Sequence, residues 1–285
     1  MPSSAPSSTA TPSAAAAAPE ALGLIAGDGE APGLIAGEAR RQGRRVVTVS
    51  LSKTAARLLD PLSDSLVTCG VGQAQKIIAS LQHSQVRQLV LAGKVRKRLL
   101  FENPRFDRRA LRLLRRARQH DDGALLRLII DELQQEGFEV LSQLPFLGPY
   151  LAPAGCLGRR RPTPREWQDI EAGLAIARRL ADLEVGQTVV VKNTTILSLE
   201  AVEGTDEAVR RGCALARRGG VVVKVSRSAQ DYRFDVPAVG LQTVENLKEA
   251  GGRVLAVEAQ RTLLLQRREM LGAADRAGIS VVGVA

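Results

Sequence analysis

From Leu22 onward, short apolar runs alternate with longer stretches in which apolar residues recur every three or four positions. Leu24-Ile25-Ala26, Val46-Val47-Thr48-Val49 and Gln88–Leu91 read as strands. Between them, a stretch from Pro32 to Arg41 closed by Gly43, and another from Gln73 to Leu81, read as helices. This alternation predicts a parallel sheet with helices on its faces. The pentapeptide Gly-Leu-Ile-Ala-Gly occurs at Gly23–Gly27 and again at Gly33–Gly37, and Pro32 assigns the first copy to strand and the second to helix. Phe106–Arg118 sets Ala110, Leu111, Leu113, Leu114 and Ala117 among arginines, the pattern of a basic amphipathic helix. Such a helix carries either a solvated arginine face or a surface for anionic lipid headgroups. A further helix is predicted from Ala124 to Glu136, closed by Gly137.

The periodicity then fades. Pro145 to Pro164 is rich in proline and glycine and holds Arg159-Arg160-Arg161, which places a domain boundary there. Thr163, Pro164 and Glu166 form a capping-box signature for a helix running to about Leu183. Strands at Thr188–Lys192, Gly220–Val225, Arg253–Val257 and Ile279–Val284, with helices from Thr205, Thr243 and Gln260, make a second α/β unit. The expected organisation is a disordered tail over 1–21, a Rossmann-like N-terminal domain with a mainly parallel sheet over 22–148, a linker over 149–163 and a C-terminal α/β domain over 164–285.

Composition narrows the partners. A chain of 285 residues, 45% hydrophobic, is long enough to bury two cores. Cys69, Cys156 and Cys213 lie far apart with only His83 and His120 to assist them, which suggests neither a disulfide framework nor a zinc site and fits a cytoplasmic location. No segment is apolar for long enough to cross a bilayer, so membrane contact is expected to be peripheral. A net charge of +10 points to a phosphorylated substrate, a polyanion or an acidic membrane surface. Aromatics at 3% are poor material for base-stacking platforms, so nucleic acid is not an expected partner.

The loop Gly27-Asp28-Gly29, between strand and helix, could present backbone N–H groups to a phosphate or sugar. The second strand, however, ends in Ser50-Leu51-Ser52-Lys53, where a dinucleotide site wants an acid. No serine sits in a nucleophile elbow, and the acids are the better candidates: Asp121-Asp122, the Glu203-Gly204-Thr205-Asp206 turn, and Asp231 with Asp235. Capping is the competing role for Asp122 and Thr205. In Gln230-Asp231-Tyr232-Arg233-Phe234-Asp235-Val236-Pro237, Pro237 disfavours helix at Val236, so the run is expected to be extended. Asp231, Arg233 and Asp235 would then share one face, the groups needed to hold a divalent metal, grip a phosphate and activate water. An edge strand bearing a surface salt bridge is the other reading.

Gly23–Gly27 with Pro32, Asp121-Asp122 followed by Leu125-Leu126-Arg127, Glu203–Asp206, Gln230–Pro237 and Val257-Glu258-Ala259 together resemble the LpxI family of UDP-2,3-diacylglucosamine pyrophosphatases, from about Leu22 to Ala285. The resemblance implies hydrolysis of the diphosphate to UMP and 2,3-diacylglucosamine 1-phosphate in lipid A synthesis, assisted by Mg²⁺ or Mn²⁺, with the lipid in a cleft between two α/β domains. It implies Asp235 as the essential aspartate. Asp231 and Arg233 are expected beside it in catalysis, and Asp231 with Asp235 on the metal. Substrate contacts are expected from Gly27, Asp28, Gly29, Asp122, Glu203, Gly204, Thr205, Asp206, Lys224 and Gln230. The implied partners are a lipid-linked UDP-sugar and the anionic inner face of the inner membrane, with a homodimer allowed. A non-catalytic nucleotide- or RNA-binding protein using the glycine loop and basic faces is the alternative.

Overall fold

The structure, a computed structural model, describes residues 20–95, 106–116 and 122–285, with the side chain of Asp122 outside the description. The expected disordered tail, Asp121 and the end of the predicted helix at Arg118 lie outside the described residues almost entirely or wholly.

The first sheet is parallel, in the order β3-β2-β1-β4-β5, built from β1 (Ala21–Ala26), β2 (Arg45–Ser50), β3 (Ser65–Thr68), β4 (Gln88–Ala92) and β5 (Glu139–Val140). Its central strands β1 and β4 are largely apolar because both faces are covered. Ala21 and Ile25 of β1 join Val47, Val49, Leu89 and Leu91 on one face, under helices α3 (Ala74–His83) and α5 (Asp122–Gln135). Leu22 and Leu24 join Val46 and Val90 on the other, under α1 (Ala31–Arg41), α2 (Lys53–Leu59) and the short α6 (Leu144–Leu147). The two copies of the pentapeptide are strand and helix, as Pro32 requires. A basic helix α4 (Arg108–Arg116) leans on α5 through Arg109, whose guanidinium reaches Glu132 at 3.3 Å and Glu136 at 2.7 Å.

The second sheet is mixed. Its order is β6-β13-β11-β9-β7-β8, from β6 (Gly155–Cys156), β7 (Thr188–Lys192), β8 (Thr195–Leu199), β9 (Gly220–Lys224), β11 (Gly252–Glu258) and β13 (Ser280–Val284). Strands β9, β11 and β13 are parallel, while β7 runs against β9 and forms a hairpin with β8. The long helix α7 (Pro164–Asp182) covers one face. Helices α8 (Thr205–Ala216), α9 (Leu241–Glu249) and α10 (Arg267–Ala277) cover the other.

The helix expected from Gln260 begins only at Arg267. The intervening chain instead forms β12 (Leu263–Leu264), which pairs with β10 (Ala238–Val239) and sends Leu263 into the core of the first sheet. Leu263 is 2% exposed, and Val236, Ala238 and Leu265 pack against the same cluster. The two halves therefore share a core.

The predicted capping box is present. Thr163 accepts from the Glu166 N–H, the Glu166 carboxylate accepts from the Thr163 N–H at 2.8 Å, and Arg160 donates to both Glu166 oxygens at 2.7 and 3.0 Å. Burial pushes the Glu166 carboxyl up, but Arg160 and the Thr163 N–H outweigh it and hold it below its ordinary value near 4.5. A folded pKa below the unfolded one stabilises the fold above the unfolded pKa, and that stabilisation is lost as pH falls through the folded pKa. Glu166→Gln is accordingly expected to cost about 1–2 kcal/mol at neutral pH and much less at a pH well below 4. Urea denaturation of both proteins at the two pH values measures the difference.

Candidate active site at the junction of the two sheets

The first sheet reverses its winding between β1 and β4, since β2 and β3 lie on one side of β1 and β4 and β5 on the other. Ligands of open α/β sheets bind outside the carboxyl ends of the strands at such a point. Here the crevice is stitched shut by the backbone. Gly27 donates to the Ala92 carbonyl at 2.8 Å, Asp28 donates to Lys94 at 2.9 Å, and Lys94 donates back to Asp28 at 2.7 Å. Gly27 and Gly93 permit this approach: a Cβ on Gly27 would fall 2.6 Å from the Lys94 carbonyl oxygen, and Gly93, at φ +86°, would press on the Gly27 carbonyl. Gly27 thus serves loop packing, and Asp28 accepts from the Ser52 hydroxyl at 2.5 Å. Only Gly29, at φ +112° with open space around it, keeps the character expected of a phosphate loop.

Beneath this seam lies an apolar cavity of about 490 Å³. Ile77 and Ile78 of α3, Leu113 and Leu114 of α4 and Leu125 and Leu126 of α5 line it. Gly27, Gly93 and Lys94 border it, and Phe234 reaches it from the second half of the chain. The cleft expected between the domains is therefore formed mostly within the N-terminal half and meets the C-terminal half at Phe234.

Phe234 belongs to a turn. The run expected to be an extended strand folds back at Asp231, whose carbonyl accepts from the N–H groups of Phe234 and Asp235 at 3.3 and 3.1 Å. Two side chains drive this. The Asp231 carboxylate caps the Arg233 N–H at 3.1 Å and binds the same residue's guanidinium through both oxygens, at 2.9 and 2.7 Å. The buried amide of Gln230 spans the turn, donating to the Asp235 carbonyl at 3.0 Å and to Asp235 Oδ2 at 2.7 Å. Its own oxygen accepts from Gln187 and from the Arg227 N–H. Gln230, expected on substrate, is spent on holding Asp235. Pro237 restricts Val236 alone and cannot oppose these bonds. Asp231 and Arg233 meet as an ion pair, and the guanidinium holds the Asp231 carboxyl below the usual aspartate range.

Lys224, at the end of β9, donates to the Thr205 hydroxyl at 2.9 Å, and that hydroxyl donates to Glu200 at 2.9 Å. Burial lowers the Lys224 ammonium's pKa, the charges of Glu200, Asp206 and Asp235 oppose that shift, and the charge of Lys94 adds to it. Thus Thr205, Asp206, Lys224 and Asp235 converge. Glu203 does not: it pairs with Arg211 at 2.7 Å, while Gly204, at φ +82°, supplies the turn into α8. Asp122 opens α5. Sequence reasoning missed Glu200 and Lys94, which no local motif marks.

The donor set fits one kind of metal site. Among the described residues, no group of three or more His, Cys, Asp and Glu side chains converges. Mg²⁺ needs only one or two carboxylates when substrate phosphates complete its shell. Asp235, with Oδ2 held by Gln230 and Oδ1 making no hydrogen bond among the described residues, fits that role. Asp231 has both oxygens on Arg233, so that pair would have to open for Asp231 to take its expected place on the metal.

Relatives place the chain. It is 35% identical over 275 residues, 92% of this chain and 97% of the relative, to the UDP-2,3-diacylglucosamine pyrophosphatase LpxI of Caulobacter vibrioides. Among solved structures, it is similar to the biotin carboxylase domain of Hydrogenobacter thermophilus 2-oxoglutarate carboxylase, at 12% identity and a TM-score of 0.26 over 61% of this chain and 35% of that one. It is also similar to N5-carboxyaminoimidazole ribonucleotide synthetase of Thermotoga maritima, at 15% identity and a TM-score of 0.23 over 60% and 38%. Likenesses of that size carry no argument about the site. Residues 21–149 match the LpxI N-terminal domain and residues 153–282 the LpxI C-terminal domain, and with both halves matched the chain belongs to the LpxI family.

Proposed function

We propose that the protein hydrolyses the diphosphate of UDP-2,3-diacylglucosamine to UMP and 2,3-diacylglucosamine 1-phosphate. One observation carries the reading: an apolar cavity large enough for part of a lipid ends at Phe234, one residue from Asp235 and beside the cations that a diphosphate needs. Acyl chains would occupy the cavity between α3, α4 and α5. The diphosphate would then lie at its mouth, against Lys224 and Arg233.

The residues divide the work. Gln230 fixes the Asp235 carboxylate, and Asp235 Oδ1 would hold Mg²⁺ together with phosphate oxygens. Bound there, the ion supplies positive charge against the diphosphate and the leaving phosphate. Thr205 and Glu200 aim the Lys224 ammonium, and Asp231 aims the Arg233 fork, so both cations are oriented before substrate arrives. The burial around Lys224 strengthens its attraction for a phosphate oxygen. Water attacks one phosphorus and gives up a proton to solvent, the bridging P–O bond breaks, and the electron pair leaves on the departing phosphate.

The protein would work at the cytoplasmic face of the membrane that holds its substrate. No helix among the described residues is long and apolar enough to cross a bilayer. On α4, Arg108, Arg112, Arg115 and Arg116 are exposed beside the partly exposed Leu111 and Leu114, next to the cavity. Each such arginine contributes about 1 kcal/mol of attraction to an anionic surface.

The test is direct. Purified protein given the diacylated UDP-sugar and Mg²⁺ is expected to release UMP and the lipid 1-phosphate in equal amounts, and EDTA is expected to stop the release. UMP formation that continues at full rate after chelation would remove the metal from this account, and no UMP at all would remove the reaction.

A further inference from the structure

Among the described residues that line the cavity, Lys94 is the one cation, and it comes from the N-terminal half. Its backbone is fixed by paired hydrogen bonds to Asp28 at 2.9 and 2.7 Å, and it sits at the carboxyl end of β4, on the point where the first sheet reverses its winding. The side chain is exposed and borders the apolar cavity. Among the described residues, its ammonium meets no carboxylate and no hydrogen-bond acceptor. It also lies close enough to Lys224 for the two like charges to act on one another. Lys224 is balanced by Glu200, Asp206 and Asp235, whereas among the described residues no ion pair joins Lys94 to a carboxylate.

Two ammonium groups brought together from opposite halves can grip one anion between them. A packed core joins the halves behind them, so neither lysine is carried there by chance of a loose surface. On the proposed reaction, which this inference assumes, the anion at this place is the diphosphate, since the acyl chains fill the cavity that Lys94 borders. We infer that Lys94 binds a phosphate oxygen of the lipid-linked diphosphate and, with Lys224, clasps it from the two halves of the chain. Among the described residues Glu200 and Thr205 have no counterpart around Lys94, so its ammonium would be aimed by the substrate itself.

The experiment compares wild type, Lys94→Met and Lys94→Arg, with Asp235→Asn as the reference for the reaction. Methionine keeps the aliphatic stem that borders the cavity and removes only the charge. Lys94→Met is expected to raise KM for the diacylated UDP-sugar about 10- to 100-fold with a smaller change in kcat, and Lys94→Arg to recover most of the loss. A second readout is free of turnover: inorganic pyrophosphate with Mg²⁺ should raise the melting temperature of the wild type and of Lys94→Arg more than that of Lys94→Met. A wild-type KM in Lys94→Met overturns the inference even if Asp235→Asn is inactive, because the reaction then stands without this contact. If the wild type releases no UMP, the function reading falls, and the pyrophosphate shift alone decides the Lys94 contact: an equal shift in wild type and Lys94→Met overturns it.

Discussion

Replacing Asp235 with asparagine is expected to lower kcat for UMP release on the order of 10²- to 10³-fold, the loss that follows removal of one preorganised electrostatic contact to developing charge. Asparagine keeps the shape of the side chain and can still accept from Gln230, so the turn should survive. What disappears is the negative charge. Without it, Oδ1 can no longer hold a divalent cation firmly, and Lys224 loses one of the three carboxylates that favour its charged form. KM should change far less than kcat, because the acyl chains and the remaining cations still bind the ground state. Steady-state kinetics and a thermal melt of the same sample test this together. Near-wild-type turnover in a folded Asp235→Asn protein would sink the assignment.

Leu263→Ala should be among the most destabilising single changes, at about 2–5 kcal/mol. Leu263 belongs to β12 in the C-terminal half, its N–H donates to the Pro237 carbonyl at 2.8 Å, and its side chain lies among Leu22, Leu24, Ile35 and Val90 of the first sheet. A cavity there weakens the core of one half and the anchor of the other at once. Calorimetry should show a melting temperature lower by about 5 °C or more and still a single transition. Two separated transitions in the wild type would contradict the shared core.

Much of the fold was legible because its signals are local. The central strands of both sheets are covered on two faces, so Val46–Val49 and Gly220–Val225 stand out as valine-rich runs. Thr163 and Glu166 announced α7 because a capping box is complete within four residues. Strand β3 passed unnoticed because Ser65–Thr68 is a half-exposed edge with little apolar content. Helix α10 was placed too early because Thr262, Leu263 and Leu264 are buried by contact with β10 and the other half, which no periodicity encodes.

The site divides in the same way. Asp231, Arg233 and Asp235 were found as a group because they are neighbours in sequence, but their geometry was misread: the Gln230 amide and the Asp231 cap decide the backbone there. Lys94 and Glu200 were missed because their meaning comes from Lys224, a residue far away in the chain. Gly27 is expected from the sequence to offer its backbone N–H to a phosphate or sugar, whereas in the structure that N–H has Ala92 as its neighbour across the seam.

That neighbour changes how the N-terminal half can recognise an oxyanion. With the N–H groups of Gly27 and Asp28 both donated across the β1–β4 seam, those two amides are not available to a phosphate. On the proposed reaction, a swivelling ammonium at the seam's edge would instead follow an oxygen as a bridged diphosphate separates into two monoesters, keeping its grip on the lipid-bearing product while the nucleotide departs.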